Sequence, residues 1–433
     1  MRGKPVLYRV VNVPEKLTAV HDGREYGGDV RIGDLTGDGR GDFLVLRCAD
    51  GGIKPCFMGA FTEGEELLWQ VGAGGVQPGR PGPVAIHDID GDGRSEVICL
   101  WCADQVGAGP RRFSDVVVQI RDGATGQVKR EAAPLEVTQR VGHGPNWVHQ
   151  RILVARLRNT DGPRDFIIKL GDTIVALTDR LQVLWTYRIA WNEYGNCSAY
   201  IPAVGDIDGD GLDEVLGGYF LLDSDGRPLW EAPLGPHMDS VAIAPWDQGH
   251  MRAICSGHGH VVDASGNAIL RLGPDLVPHG QEVRVADLRD DLPGPEMILR
   301  YNGHEPNVHV VSSATGQIAA TFGLNSTPNQ TGMEVVYWDG PDRPAVICNG
   351  ARLWDGYGRC VARFDSLPSP SGDPRMGWHH CIPANICGDA RQEVVLYNPW
   401  DPQIYIYTPS PAEPDAYTGY IAGPRQYNPR LMD

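Results

Sequence analysis

The chain has 433 residues, with 38 Lys and Arg against 55 Asp and Glu and a formal charge of -17. That balance excludes nucleic acid as an expected partner, because neutralising phosphates needs clustered Lys and Arg and none is visible; no apolar run is long enough to cross a bilayer as a helix, so a membrane is not expected either. The 55 Gly and 34 Pro, spread along the whole length, argue for many short strands and turns over long helices.

The opening MRGKPVLYRVVNV has neither the apolar core nor the small-residue cleavage site of a signal peptide. The segment up to about residue 28 reads as a closing strand. From Val30 a phrase begins that recurs down the chain: a short strand, a polar turn and a second strand. It stands as VRIGDLTGDGRGDFLVL from Val30, VAIHDIDGDGRSEVICL from Val84, ILVARLRNTDGPRDFII from Ile152 and PAVGDIDGDGLDEVLGG from Pro202. It returns as VAIAPWDQGHMRAIC from Val241, VRVADLRDDLPGPEMIL from Val283, MEVVYWDGPDRPAVIC from Met333 and IPANICGDARQEVVLY from Ile382. Further strand pairs such as GDTIVALTDRLQVLWTYR and YFLLDSDGRPLWEA lie between, with turns at DSDG and SATG.

A spacing of roughly forty to seventy residues suits one four-stranded propeller blade per phrase. The prediction is all-β: a β-propeller of eight blades forming a single domain over residues 1–433, or of seven if one degenerate phrase is only a loop. A sandwich is disfavoured, because so frequent a motif implies stacked equivalent units. Of the ten Cys, Cys99 and Cys102 fall in the apolar strand VICLWC and no second pair completes a zinc site, so buried thiols are expected.

Two turns spell D-x-D-G-D-G-x-x-E, which places carboxylates at positions 1, 3, 5 and 9 and a carbonyl at 7; alternating them with Gly lets the backbone curl around one hard cation. The sets are Asp88, Asp90, Asp92 and Glu96 with the carbonyl of Arg94, and Asp206, Asp208, Asp210 and Glu214 with the carbonyl of Leu212. A weaker set is Asp34, Asp38 and Asp42. Ca2+ is the expected ion, held as a staple, since a cation wrapped by one hairpin leaves little room for substrate. The turns DLRDDLPGPE and ICGDARQE keep the hairpin but lose ligands.

The innermost strands of a propeller begin around its channel, and the loops entering them rim one face, a usual place for a ligand. Counted from the position of Asp206, the equivalents are Pro245, Asp287 and Tyr337, and eight residues before these stand His237, His279 and Asn329. Asp239 and Gln281 follow two residues after the first two. Asn146 and His149 enter the third repeat, Asn196 and Tyr200 the fourth, and His379 and His380 the eighth. A lone His before a strand is ordinarily a hydrogen-bonded loop residue, whereas polar residues from six of the eight entries, aimed at one axis, read as a site. His with a nearby Asp can ligate a central cation or act as a base with its orienting partner. Trp147, Trp191, Trp246 and Trp378 lie near the same entries, as platforms for sugar rings or as packing between blades.

These residues carry a resemblance to the rhamnogalacturonan lyases that are eight-bladed, calcium-containing propellers. GNCSAYIPAVGDIDGDGLDEVLGG, from 195, resembles that family's GNHNLSVGDVDGDGKDEI, and the LLDSDG and GPHMDS that follow resemble its IDDDG turn and GLGHGDA. ICGDARQEVVLYNPWDPQIYIYT is similar to IWGDWREEV and the RIYT after it, the terminal QYNPRLMD to YNQPPH, and YGGDVRIGDLTGDG to the first propeller repeat. The likeness runs from about residue 26 onward, with departures: GHGD becomes GPHMD, and CLWCADQ stands where the family has CKTADG.

The resemblance implies a polysaccharide lyase acting on an acidic poly- or oligosaccharide of rhamnose and uronic acid. In β-elimination a base removes the carbon-5 proton of the uronate and the carbon-4 oxygen leaves, so the site must neutralise the carboxylate and hold a base tuned near neutrality. His237 and Asp239 are then expected as cation ligands at the mouth or as base and orienter, with His149, His279 and His380 as alternative bases. Asn146, Asn196, Gln281, Asn329, His379 and Tyr200 would meet sugar hydroxyls or the carboxylate, Tyr200 also protonating the leaving oxygen, with Trp147 and Trp378 beneath sugar rings. Alternatives on the same fold are an L-rhamnose-α-1,4-D-glucuronate lyase, an ulvan-type lyase, and a non-catalytic glycan- or protein-binding propeller; hydrolysis ranks lower, since it needs two carboxylates across a cleft. A monomer is expected. Localisation stays open between export, which calcium loops and a polysaccharide substrate favour, and the cytoplasm.

Overall fold

A computed structural model describes residues 3–421 apart from 22, 50–53, 76–82, 103–115, 140–150, 194–195, 236–237, 328–331, 373–376 and 411–418, and leaves aside the side chains of 21, 49, 54, 192–193 and 196–197. Eight four-stranded antiparallel sheets follow one another along the chain. Their innermost strands are Asp29–Gly33, Val84–His87, Arg151–Ala155, Ala203–Gly205, Val241–Pro245, Val283–Ala286, Met333–Val336 and His380–Ala384, in blades I to VIII. Each sheet adds its strands outward in sequence order, except the last. There the outermost strand is Pro5–Asn12, paired antiparallel with Gln403–Pro409, so the beginning of the chain completes the final blade. Among the described residues no helix is long and apolar enough to cross a membrane.

The burial pattern explains why short strands suffice. The second strand of each blade lies between two covered faces and is mostly apolar, as in Glu96–Cys102, every residue of which is buried. Outer strands alternate instead: Val183–Arg188 turns every second residue toward water. Apolar clusters then join each blade to the next right round the ring, from the I–II interface of Leu44, Met58 and Val97 to the VIII–I interface of Val395, Ile406 and Phe43. Tyr397 of blade VIII also donates its hydroxyl proton to Asp29 of blade I.

A second lock sits farther out. Trp69 of blade I lies over the turn of blade II, with its Nε1 donating to the carbonyl of Gly123 at 2.7 Å. Trp185 of blade III does the same over blade IV, donating to Ser224 at 2.8 Å. Gly126 and Gly226 stand under those rings at φ +68° and +78°, and a Cβ on either would come within 2.4 Å of the indole, so both backbone and ring require Gly.

The cysteines show no disulfide among the described residues. Cys99 and Cys255 are buried in strands, and burial pushes both thiols up to about 12, which leaves them inert.

Candidate functional site

Each innermost strand runs from its entry loop to its acidic turn, so entries and acidic turns lie on opposite faces of the ring. The turns share a device that spacing alone had presented as metal ligation. In six turns the carboxylate at position 9, or at position 10 in the one-residue-longer turns of blades III and VI, accepts the backbone N–H of position 2: Asp42 from Leu35 (2.9 Å), Glu96 from Ile89 (3.1 Å), Asp165 from Leu157 (3.2 Å), Glu214 from Ile207 (2.9 Å), Glu296 from Leu288 (2.8 Å) and Glu393 from Ile386 (2.8 Å). The position-2 side chain is buried in every case, so its N–H needs an internal acceptor. Position 9 is therefore a hairpin staple with or without metal.

In blade IV the carboxylate oxygens of Asp206, Asp208 and Asp210 lie within 4.8 Å of one another. Asp206 accepts the N–H groups of Gly209 (2.7 Å) and Gly211 (3.0 Å), and Asp210 that of Leu212 (2.8 Å). Burial, then the three neighbouring aspartates, push Glu214 up to about 8. Such crowded negative charge fits a hard divalent cation. In blade II, Asp88, Asp90 and Glu96 converge within the same distance, but Lys129 Nζ stands 2.7 Å from both Asp90 and Glu96. Asp92 there accepts the N–H of Arg94 at 2.9 Å. Among the described residues Asp34, Asp38 and Asp42 form no convergent group. Asp42 takes the N–H groups of Leu35 and Thr36 and the Thr36 hydroxyl, while Asp34 takes those of Gly37, Asp38 and Gly39.

At the opposite face, the entries to blades V and VI meet. Asp239, wholly buried, lies 3.0 Å from Nε2 of His279, whose side chain is 35% exposed. This partner comes from the next blade; the pairing expected inside one repeat, His237 with Asp239, lies outside the described residues. His279 is held by its backbone, its N–H donating to Tyr301 and its carbonyl accepting from Gly303 (3.1 and 2.7 Å). The entry beside it is stiffened by Glu282, which takes Arg300 Nε at 3.2 Å and the N–H groups of Gly332 and Met333 at 2.9 and 3.3 Å. Below these entries a cavity of about 190 Å³ opens between the inner strands of blades IV to VI, lined by Ile201, Val204, Ser240, Ile243, Val283 and Arg284. The Arg284 guanidinium is paired with both oxygens of Glu334 across to blade VII, at 3.3 and 3.1 Å.

Other expected site residues lie deeper than the surface reading placed them. His380 is fully buried, its ring 3.7 Å from that of Trp378 and 5.6 Å from that of Tyr397. Trp378 is buried between His380 and Gly332, so it packs blades and presents no open face to a sugar. Trp246 is buried too, and Trp191 meets Tyr219 edge-on. His379 is buried beside Tyr405, and burial lowers its pKa to about 4, which keeps it neutral. Gln281 and Tyr200 are also buried. Asn196 lies on a two-residue strand ahead of blade IV, with its side chain outside the described set, as are Asn146, Trp147, His149 and Asn329.

No protein-family model matches the chain. It is similar to the rhamnogalacturonan endolyase YesW of Bacillus subtilis (strain 168), 24% identical over 451 aligned residues that cover 90% of this chain and 68% of the endolyase. The rhamnogalacturonan exolyase YesX of the same organism is 23% identical over 269 residues, covering 52% of this chain; the matched region spans 44% of the exolyase's length. The crystal structure of YesW superposes with a TM-score of 0.67 at 19% identity, over 92% of this chain and 75% of that one. The V. cholerae biofilm matrix protein Bap1 also superposes, with a TM-score of 0.56 at 13% identity over 98% and 90% of the two chains. The resemblance carried by the sequence motifs is thus met by distant relatives that are rhamnogalacturonan lyases and share the eight-bladed fold.

Proposed function

We propose that this protein is a polysaccharide lyase that cleaves a rhamnose- and uronate-containing glycan by β-elimination at the strand-entry mouth of its channel. The observation that carries the reading is the pair formed by Asp239 and His279. With Asp239 accepting the Nε2 proton, the tautomer puts the imidazole lone pair on Nδ1, and the buried carboxylate stabilises the imidazolium that forms when the ring takes the carbon-5 proton. The electron pair of that C–H bond becomes the new carbon-4 to carbon-5 double bond, and the carbon-4 oxygen leaves with its bonding pair and takes a proton from solvent, to which the imidazolium then returns the carbon-5 proton. In this arrangement His279 is the base and Asp239 a positioning residue. The similarity to YesW and YesX supports the reaction class.

Calcium belongs to the same proposal, at Asp206, Asp208 and Asp210 on the far face, where it would neutralise the acidic cluster and fix the hairpin.

The test is a screen of rhamnogalacturonan, arabinogalactan-type gums and ulvan for the ultraviolet absorbance of an unsaturated uronide, with and without chelator. On the glycan that is cleaved, His279→Ala lowers kcat by about 10²–10⁴-fold. Asp239→Asn lowers kcat and moves the acid limb of the pH profile, while its melting temperature stays near that of the parent. Calcium-replete protein that yields no unsaturated product from any of these glycans would falsify the proposal. A second reading, a non-catalytic glycan-binding propeller, draws support from the burial of His380 and Tyr200, two of the expected catalytic groups; it predicts glycan retention without product.

A further inference from the structure

The Asp88 and Asp206 turns have the same acidic spelling, yet their surroundings differ at one place. In blades I to VII the third and fourth strands pair with a register shift that leaves one residue of the fourth strand as a bulge: Leu68, Lys129, Leu184, Leu229, Ile269, Ala319 and Val361 in turn. The position is apolar in six of these seven blades, and in blades III, IV and V it is exposed, so packing does not call for a lysine in blade II. What the lysine does there is electrostatic. Its Nζ lies 2.7 Å from Asp90 Oδ2, 2.7 Å from Glu96 Oε1 and 3.5 Å from Asp92 Oδ2. Arg130 adds a guanidinium nitrogen 3.7 Å from Asp90.

We propose that Lys129 is the cation of the blade II turn, and that the Asp88 loop takes no divalent ion in this chain despite its matching sequence. An ammonium has three donors and a single charge, so it bridges carboxylates at hydrogen-bond distance and needs no dehydrated, many-oxygen cage. It also occupies two of the oxygens a calcium ion would need and repels a second cation at that range. The neighbouring turns use the same substitution in another form. Arg158 and Arg289 stand at position 3, where the complete loops have Asp, and bind Asp165 (2.6 Å) and Asp291 (2.6 Å). Arg391 binds Asp389 at 2.5 Å in blade VIII. Internal cations thus sit on the acidic turns of blades II, III, VI and VIII, and blade IV, with Leu229 at the bulge, keeps its acidic group with no such cation among the described residues.

The test is the stoichiometry of calcium binding, by titration calorimetry and equilibrium dialysis, so it stands or falls independently of any lyase activity. Lys129→Leu installs the residue blades I, III and IV already carry, and it is expected to bind one more calcium ion per chain than the parent, the gain vanishing in Lys129→Leu with Asp90→Asn. In the parent, Asp90→Asn is expected to leave calcium stoichiometry unchanged. Equal stoichiometry for the parent and a folded Lys129→Leu variant, or loss of an ion from the parent on Asp90→Asn, overturns the proposal.

Discussion

Glu282 is the most exposed weakness of the mouth in an energetic sense, although it is wholly buried. Its carboxylate and the Arg300 guanidinium both have 0% side-chain exposure, and they are joined at 3.2 Å. Its other oxygen holds the N–H groups of Gly332 and Met333, which begin blade VII. Glu282→Ala therefore strands a buried guanidinium and removes the acceptor of two backbone donors. Breaking a buried ion pair from one side costs about 3–5 kcal/mol, because the remaining charge has no compensation. Glu282→Gln keeps an acceptor for Gly332 but loses the charge, so it is expected in the lower half of that range. Replacing both partners, Glu282→Gln with Arg300→Met, removes the uncompensated charge and is expected to recover most of the loss. Urea unfolding followed by tryptophan fluorescence and by far-UV circular dichroism measures each step. Single variants that lose less than about 1 kcal/mol, or a double variant no more stable than its weaker parent, would refute the view that this pair is what rigidifies the entry.

Gly332 has φ +84°, and a Cβ there would lie 1.9 Å from the Trp378 ring; Gly332→Ala is expected to cost more than about 2 kcal/mol, whereas Gly340→Ala, with φ +97° but nothing nearer than 3.7 Å, carries only the backbone penalty of about 1 kcal/mol. Chemical denaturation of the two variants side by side separates collision from strain. Glu296 gives a pH signature. Burial, then Asp287, push its carboxyl up to about 7, so the folded protein keeps a proton that the unfolded chain releases near pH 4.5, and stability falls as pH rises from about 5 to about 8. Glu296→Gln keeps an oxygen for the Leu288 N–H and is expected to flatten that fall, gaining on the order of 1–2 kcal/mol at pH 8 and nothing at pH 5 once solvent screening is allowed for. Parallel melting curves that keep the same pH slope in parent and variant contradict it.

Blade number was legible because every blade solves the same burial problem with the same phrase. An apolar strand, an acidic turn and a second apolar strand recur wherever two faces must be covered. Even the degenerate turn of blade VIII keeps Ile386 and Glu393, since the hairpin needs the buried residue and the carboxylate that receives its N–H at 2.8 Å. That second function of position 9 was hidden by the chemistry of the first: a glutamate at the end of D-x-D-G-D-G spells a ligand, and nothing local says that one of its oxygens goes to the backbone. The tryptophan locks were hidden for a different reason. Trp185 and Gly226 lie 41 residues apart and belong to adjacent blades, and no periodicity within a blade links them.

The same limit governs the site. Counting back from Asp206 reaches the entry loop of each repeat, because entry loops occupy a fixed place before the innermost strand. It could not say which side chains point into the mouth, since that depends on the angle between blades. Sequence spacing pairs Asp239 with His237, two residues before it, and gives no sign that the ring also brings His279 of the next blade within 3.0 Å of the same carboxylate. His379, His380 and Trp378 stand at the entry register and are buried, His379 and His380 beside Tyr405 and Tyr397 of their own blade and Trp378 against Gly332 of blade VII. A propeller repeats its backbone but not its surroundings, so a motif specifies where a residue begins and the adjacent blade decides what it does. Lys129 shows the same limit within a single blade. The Asp88 loop is complete as a phrase, and the residue that changes its chemistry lies 33 positions beyond Glu96 on the outermost strand of the same blade, in a place where blades I, III and IV carry leucine.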